Sequence, residues 1–190
     1  MAKGVLFGVL TALASLVLAC GGDDGPGRPA RSLPSVDGTV DSLAPASTAP
    51  FTLSADPQLS GPAALRAVRL ESRSEAGGWD RVVFEFEDAL PAGEIEYVEE
   101  VKHCTSGERV RMPSTAVLVV RFSPAEAHDE ADKSTLRALD LRGTGYAILR
   151  ARQTCDSDGE VAWAVAVNGR QPFKVTVLSD PARVVIDVEW

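Results

Sequence analysis

Acidic residues crowd one stretch of this chain. Glu85, Glu87, Asp88, Glu94, Glu96, Glu99 and Glu100 fall together, with no basic residue between Val82 and Val101. Two carboxylates facing each other across a sugar are the machinery of glycoside hydrolysis. Acids alternating along solvent-facing strands are the commoner origin of such a run, and no spacing here singles out two. Arg137, Arg142, Arg150 and Arg152 form a reciprocal basic island. It reads either as cross-strand partners for the acidic strands or as a patch for an anion or a glycan carboxylate. Nucleophilic chemistry is poorly served: there is no GxSxG elbow, and only His103 and His128 are available. HExxH, the P-loop and GxGxxG are absent, and Gly143-Thr144-Gly145 lacks the third glycine. Asp156-Ser157-Asp158-Gly159-Glu160 begins like a calcium loop but lacks the remaining ligands, and reads as a hairpin turn. No cofactor or metal is expected.

Aromatic side chains that stack on sugars must be exposed. Trp79 follows Gly77-Gly78 and sits at a loop edge, Tyr97 alternates with glutamates, and Trp190 follows the last strand. Trp163 lies mid-strand and reads as core. Trp79, Arg81 and the four arginines of the island are therefore the candidate ligand-binding residues.

Three cysteines look odd in number until the start of the chain is read. Lys3 is followed by an apolar run from Val5 to Leu18, the pattern of a signal peptide, and too short for a membrane span of roughly 20 residues. Val17-Leu18-Ala19-Cys20 resembles the lipobox of bacterial lipoproteins. The resemblance implies diacylglycerol on Cys20 and cleavage before it; the alternatives are a plain secretory signal cut near Ala19 and a membrane anchor. Cys104 and Cys155 then remain as an even pair in an exported protein, which points to a disulfide, with two free thiols as the rival reading.

Cleavage after Ala19 leaves 18 basic against 27 acidic residues, a balance of −9. That sign disfavours a nucleic-acid partner. Residues 21–60 hold six prolines, five glycines and six serines but one aromatic, Phe51. Such a segment buries too little apolar surface to offset its ordering entropy. It reads as a disordered tether (20–60) spanning about 35 Å between a membrane and a domain at 61–190.

Within that domain the elements are strands. Val82, Phe84 and Phe86 alternate with Arg81, Glu85 and Glu87; Val161–Val167 alternates large with small; Val117–Phe122 is apolar on both faces. Further strands are expected at 65–71, 95–102, 146–153, 173–178 and 183–188, separated by Gly/Pro/Asn turns. Residues 124–139 are the one helix candidate, a loop with a turn or two of helix. Eight or so strands at this spacing make an antiparallel sandwich or barrel.

Two segments carry a family resemblance. Trp79–Phe86 (WDRVVFEF) and Arg170–Val188 (RQPFKVTVLSDPARVVIDV) are similar to the opening and closing strands of AMIN-like lipoprotein domains, relatives of the amidase N-terminal domain of cell-wall amidases. The resemblance covers most of 62–190, with no matched motif over 103–145. It implies an antiparallel β-sandwich and a non-catalytic module that binds an envelope component, peptidoglycan first. No amidase region follows Val188, which removes the hydrolase inference. Within the pattern, Asp180-Pro181 makes a turn, and Arg81 or Arg183 pairs with Asp187. A protein-interaction module of an envelope complex and a small envelope hydrolase are the alternative functions.

Overall fold

The computed structural model describes residues 41, 42, 45–73 and 78–190. The expected signal peptide, Cys20 and residues 20–40 lie outside them. Among the described residues, twelve strands form two six-stranded sheets packed face to face. The first sheet runs in the order β1 (Asp41–Ser42), β11 (Phe173–Ser179), β12 (Ala182–Glu189), β4 (Trp79–Phe86), β3 (Ala63–Arg73), β7 (Ala125–Glu126). The second runs β2 (Phe51–Leu53), β5 (Ala92–Val98), β6 (Ala116–Ser123), β10 (Glu160–Val167), β9 (Ile148–Ser157), β8 (Asp140–Arg142). Every pairing is antiparallel except β3 with β7.

Side-chain alternation explains the layering. Val82, Phe84 and Phe86 of β4 point inward beside Val184, Ile186 and Val188 of β12, and all are buried. From the opposite sheet Leu118, Val120 and Phe122 meet Trp163 and Val165. Phe84 packs edge-on against Phe122 (5.1 Å) and Trp163 (6.2 Å), and Phe86 against Phe122 (5.1 Å). Each such ring contributes about 1.5–3 kcal/mol by burial, so this aromatic cluster ties the two sheets together within the shared core.

Turn chemistry closes the hairpins. Asp158 and Gly159 join β9 to β10 with φ of 53° and 75°, the two left-handed residues of a type I′ turn. The calcium-like run is thus a hairpin turn. Asp180-Pro181 joins β11 to β12.

Two expectations need correction. Among the described residues there is no helix, and 124–139 is a loop. Ala125–Glu126 is drawn into pairing with β3, and Asp129 Oδ1 accepts the amides of Ala131 and Lys133 in a local turn that competes with helix. The stretch 20–60, read as coil, holds β1 and β2 among its described residues. β2 pairs with β5, Ser47 bridges Phe173, and Phe51, Leu53 and Leu59 pack on the core. Composition counts few apolar residues there, but Phe51 and Leu53 lie in a strand that covers the otherwise open edge of β5, and Leu59 packs on the core.

The 124–139 loop also holds a titrating contact. His128 Nδ1 lies 2.9 Å from Asp156 Oδ1, which also accepts the Ala127 amide. Hydrogen bonding to Asp156 raises the His128 pKa; burial opposes it, and the charges of Asp156, Glu126 and Asp132 add to it. A raised histidine stabilises the fold fully below its usual value of 6.5 and loses that contribution as pH rises through the raised one. Urea midpoints measured from about pH 6 to about pH 9 are expected to fall through this window, and His128→Gln to flatten that fall.

Candidate functional site

Strand register sets two polar faces. On the outer face of the first sheet Lys174, Asp187, Arg81 and Glu71 stand opposite one another across β11, β12, β4 and β3. Arg81 donates to Asp187 through Nε (2.6 Å) and Nη2 (2.9 Å), and its guanidinium lies 4.1 Å from the Trp79 ring centroid. The hydrogen bond to Asp187 raises the Arg81 pKa; partial burial works against it, and the charges of Asp187 and Glu71 reinforce it. Arg81 therefore fixes the β4–β12 register, and Trp79 is half-buried beneath it. Arg183 does not share that ion pair; its Nε donates to the Pro181 carbonyl.

The acidic run is divided between the sheets, because the chain crosses from β4 to β5 in its middle. Glu85 pairs with Arg69 and Glu87 with Arg66 beside the first sheet. Glu96 pairs with Arg121 (2.9 Å) on the second, and Glu100 with Lys102 (3.4 Å) beyond it.

The arginine island is largely assembled. Arg150 and Arg152 of β9 stand opposite Arg142 and Asp140 of β8, so three arginines share one face with one carboxylate at the free edge of the second sheet. Arg150 takes Asp140 in a two-point pair, through Nε at 2.7 Å and through Nη2. That bond holds the Asp140 carboxyl below its usual range; desolvation opposes it, and the charges of Arg150, Arg152 and Arg142 reinforce it. Asp140 raises the Arg150 pKa in return. Arg137 is exposed on the preceding loop and is not among the charges acting on Asp140.

Further along this face, Cys104 and Cys155 form the disulfide, with Cα atoms 5.2 Å apart. The bond staples a strap (residues 99–115) across the second sheet. Val101, Val110 and Met112 of the strap cover Val117, Val119 and Ala164 as a second small core. A cleft of about 320 Å³ lies between the disulfide and the arginines, lined by His103, Leu139, Asp140, Arg152 and Gln153. A larger one, about 830 Å³, runs under the strap between Glu99, Arg109, Arg111, Met112, Val117 and Asn168. No group of three or more His, Cys, Asp or Glu placed to hold a metal occurs among the described residues.

Tyr97 is structural. Its hydroxyl donates to the Gln171 carbonyl (2.7 Å), its ring meets Phe173, and burial pushes its pKa up to about 12. Trp163 is wholly buried.

Sequence reasoning missed two features at the end of the sandwich. Asp80, 1% exposed, accepts the amides of Ala147 (2.6 Å) and Ile148 (2.8 Å) on one carboxylate oxygen. The signal was there: counting back by twos from Phe86, Phe84 and Val82 puts Asp80 on the inward face. Tyr146 and Trp190 are exposed and stacked, with ring centroids 5.0 Å apart and planes at 26°. Nothing local announces that contact, which joins residues 44 positions apart.

No curated protein and no solved structure matches the chain. The model of one family, the AMIN-like domain, matches residues 63–190. That span runs from the first residue of β3 through β12, and this chain belongs to the AMIN-like domain family.

Proposed function

We propose that this protein is an exported bacterial lipoprotein, held on a membrane by acyl chains on Cys20, whose AMIN-like domain binds peptidoglycan without catalysing a reaction. Family membership supports an envelope-associated binding module. The observation that carries the choice of ligand is the exposed edge where Arg142, Arg150 and Arg152 surround one aspartate. Asp140 neutralises one of the three, so two positive charges face solvent beside a cleft on a chain that is otherwise acidic. A local field of that sign concentrates polymers bearing carboxylates, which the stem peptides of peptidoglycan supply. Two acyl chains would hold such a module on a membrane stably, as one would not.

The test is co-sedimentation of the full chain, in detergent, with isolated peptidoglycan sacculi at low and high salt. Wild type is expected to pellet saturably. The double variant Arg142→Glu/Arg152→Glu reverses the charge of the strip at positions that make no ion pair among the described residues, and is expected to lose roughly tenfold or more in apparent affinity, the loss shrinking as salt screens the edge. Absence of pelleting by wild type overturns the reading.

The cleft beneath the strap supports a second reading, a docking site for an envelope protein. Its apolar floor (Val101, Val110, Val117) and rim of both charge signs (Glu99, Glu100, Arg109, Arg111) suit a peptide segment. Cross-linking in the native envelope would find that partner.

A further inference from the structure

Three large hydrophobic side chains stand exposed among the described residues: Leu139 at 44%, Tyr146 at 69% and Trp190 at 41%. Two of the three stack on each other. Isolated exposed apolar residues are ordinary, but these two are braced from behind. Gly143 and Gly145 bring the β8–β9 turn into the body of the fold: a Cβ on Gly143 would lie 1.7 Å from the Ile148 carbonyl oxygen, and one on Gly145 1.9 Å from Asp80 Oδ1. Asp80 then clamps the amides of Ala147 and Ile148, fixing the backbone beside Tyr146. Trp190 is held in the same way. Its amide donates to the Gly78 carbonyl (3.2 Å), and its ring lies against Gly78 so closely that a Cβ there would come within 2.4 Å of Cζ2. A buried carboxylate and three glycines thus serve to hold two rings in solvent.

We propose that the Tyr146–Trp190 pair is a saccharide-binding platform in which Trp190 backs Tyr146 and the outer face of Tyr146 stacks on the C–H face of a pyranose ring. The size of the patch argues for this occupant. A specific protein interface takes about 800 Å² per partner, whereas Tyr146 and Trp190 cover part of each other and Gly78 lies against Trp190, so they leave a ligand only part of the about 150–250 Å² that an aromatic side chain can bury. One sugar ring matches that scale. Its hydroxyls need polar neighbours, and the exposed Thr144, Arg142 and Glu189 stand two, four and one positions along the chain from the two rings. Rings already fixed lose little freedom on binding, so the contact costs less than ordering a mobile loop. The platform goes beyond the arginine edge and rests on the wall-binding reading only for the source of the sugar.

The experiment uses the full chain in detergent and soluble β-1,4-linked N-acetylglucosamine oligomers of about four to six rings, with binding followed by indole fluorescence and calorimetry. Wild type binds saturably. Tyr146→Ala, at a position exposed enough to leave folding intact, weakens binding about three- to tenfold, and Tyr146→Phe, which keeps the ring, binds like wild type. Equal binding by Tyr146→Ala, or no saturable binding by wild type, overturns the platform. Sacculus pelleting separates the two readings. Pelleting unchanged by Tyr146→Ala, together with unchanged oligosaccharide affinity, overturns the platform and leaves the wall reading standing. Platform-dependent oligosaccharide binding without pelleting does the reverse. A wild-type dimer that Tyr146→Ala dissociates overturns the sugar assignment in favour of a second copy of this chain.

Discussion

Asp80→Ala is expected to destabilise the domain by about 3–5 kcal/mol. The substitution leaves the Ala147 and Ile148 amides buried without an acceptor, at about 1–3 kcal/mol each, and opens space where the carboxylate packs on Gly145. For a domain of this size the melting temperature falls by roughly 10 °C. Asp80→Asn keeps a carbonyl oxygen for the two amides and falls between wild type and alanine. Gly145→Ala attacks the same contact from the other side, so the two losses should not add. Thermal and urea unfolding of the two single variants and the double one measure this. An Asp80→Ala protein that melts within a degree or so of wild type would remove Asp80 from the account of the turn and, with it, the bracing behind Tyr146.

Removing the disulfide has a comparable expected effect through a different route. Cys104 and Cys155 are 51 residues apart, and on the chain-entropy model opening that loop costs about 4 kcal/mol. The consequence is also local. The strap is docked to β9 by the Cys104 amide donating to the Thr154 carbonyl (3.2 Å), and within itself by the Val110 amide donating to the Val101 carbonyl (2.8 Å). Reduction, or the paired substitution Cys104→Ala/Cys155→Ala, lets it swing off the second sheet and bares Val117, Val119 and Ala164. The urea midpoint should fall, and a dye sensitive to exposed apolar surface should bind before global unfolding. A variant without either sulfur that unfolds at the wild-type midpoint and binds no dye would show the strap to be held by packing alone.

The two sheets are legible in the sequence because most strands carry their own signal. Alternation in 81–87 and the turn pair Asp158-Gly159 are local, and local physics wrote them. The Arg81–Asp187 pair is reachable through the motif that holds both, and Arg150 and Arg152 share a face because they stand i, i+2 in one strand, while Arg142 joins them only through the pairing of β8 with β9. Other features are hidden because their causes are distant. Phe51 and Leu53 look like stray apolar residues in a Pro-rich segment until the open edge of β5 is known. Residues 124–139 have passable helix composition, overridden by pairing with β3. Tyr146 and Trp190 meet only after β12 lies beside β4. Residue type and position single out Trp79 and Arg81 for a ligand, yet the structure engages Arg81 with Asp187, with Trp79 against it.

The stitching of residues 41–59 across one side of the sandwich decides how the domain bears a mechanical load. Tension reaching Asp41 from upstream meets the two-residue pairing with β11 first, then the Ser47–Phe173 bridge, then β2 on β5. These contacts are short and arranged in series, so they break in succession and not together. Their release feeds out up to about 70 Å of chain before any pull falls on β3 and the aromatic core. The segment is therefore a reserve of slack, and drawing on it uncovers the edges of β11 and β5 in turn.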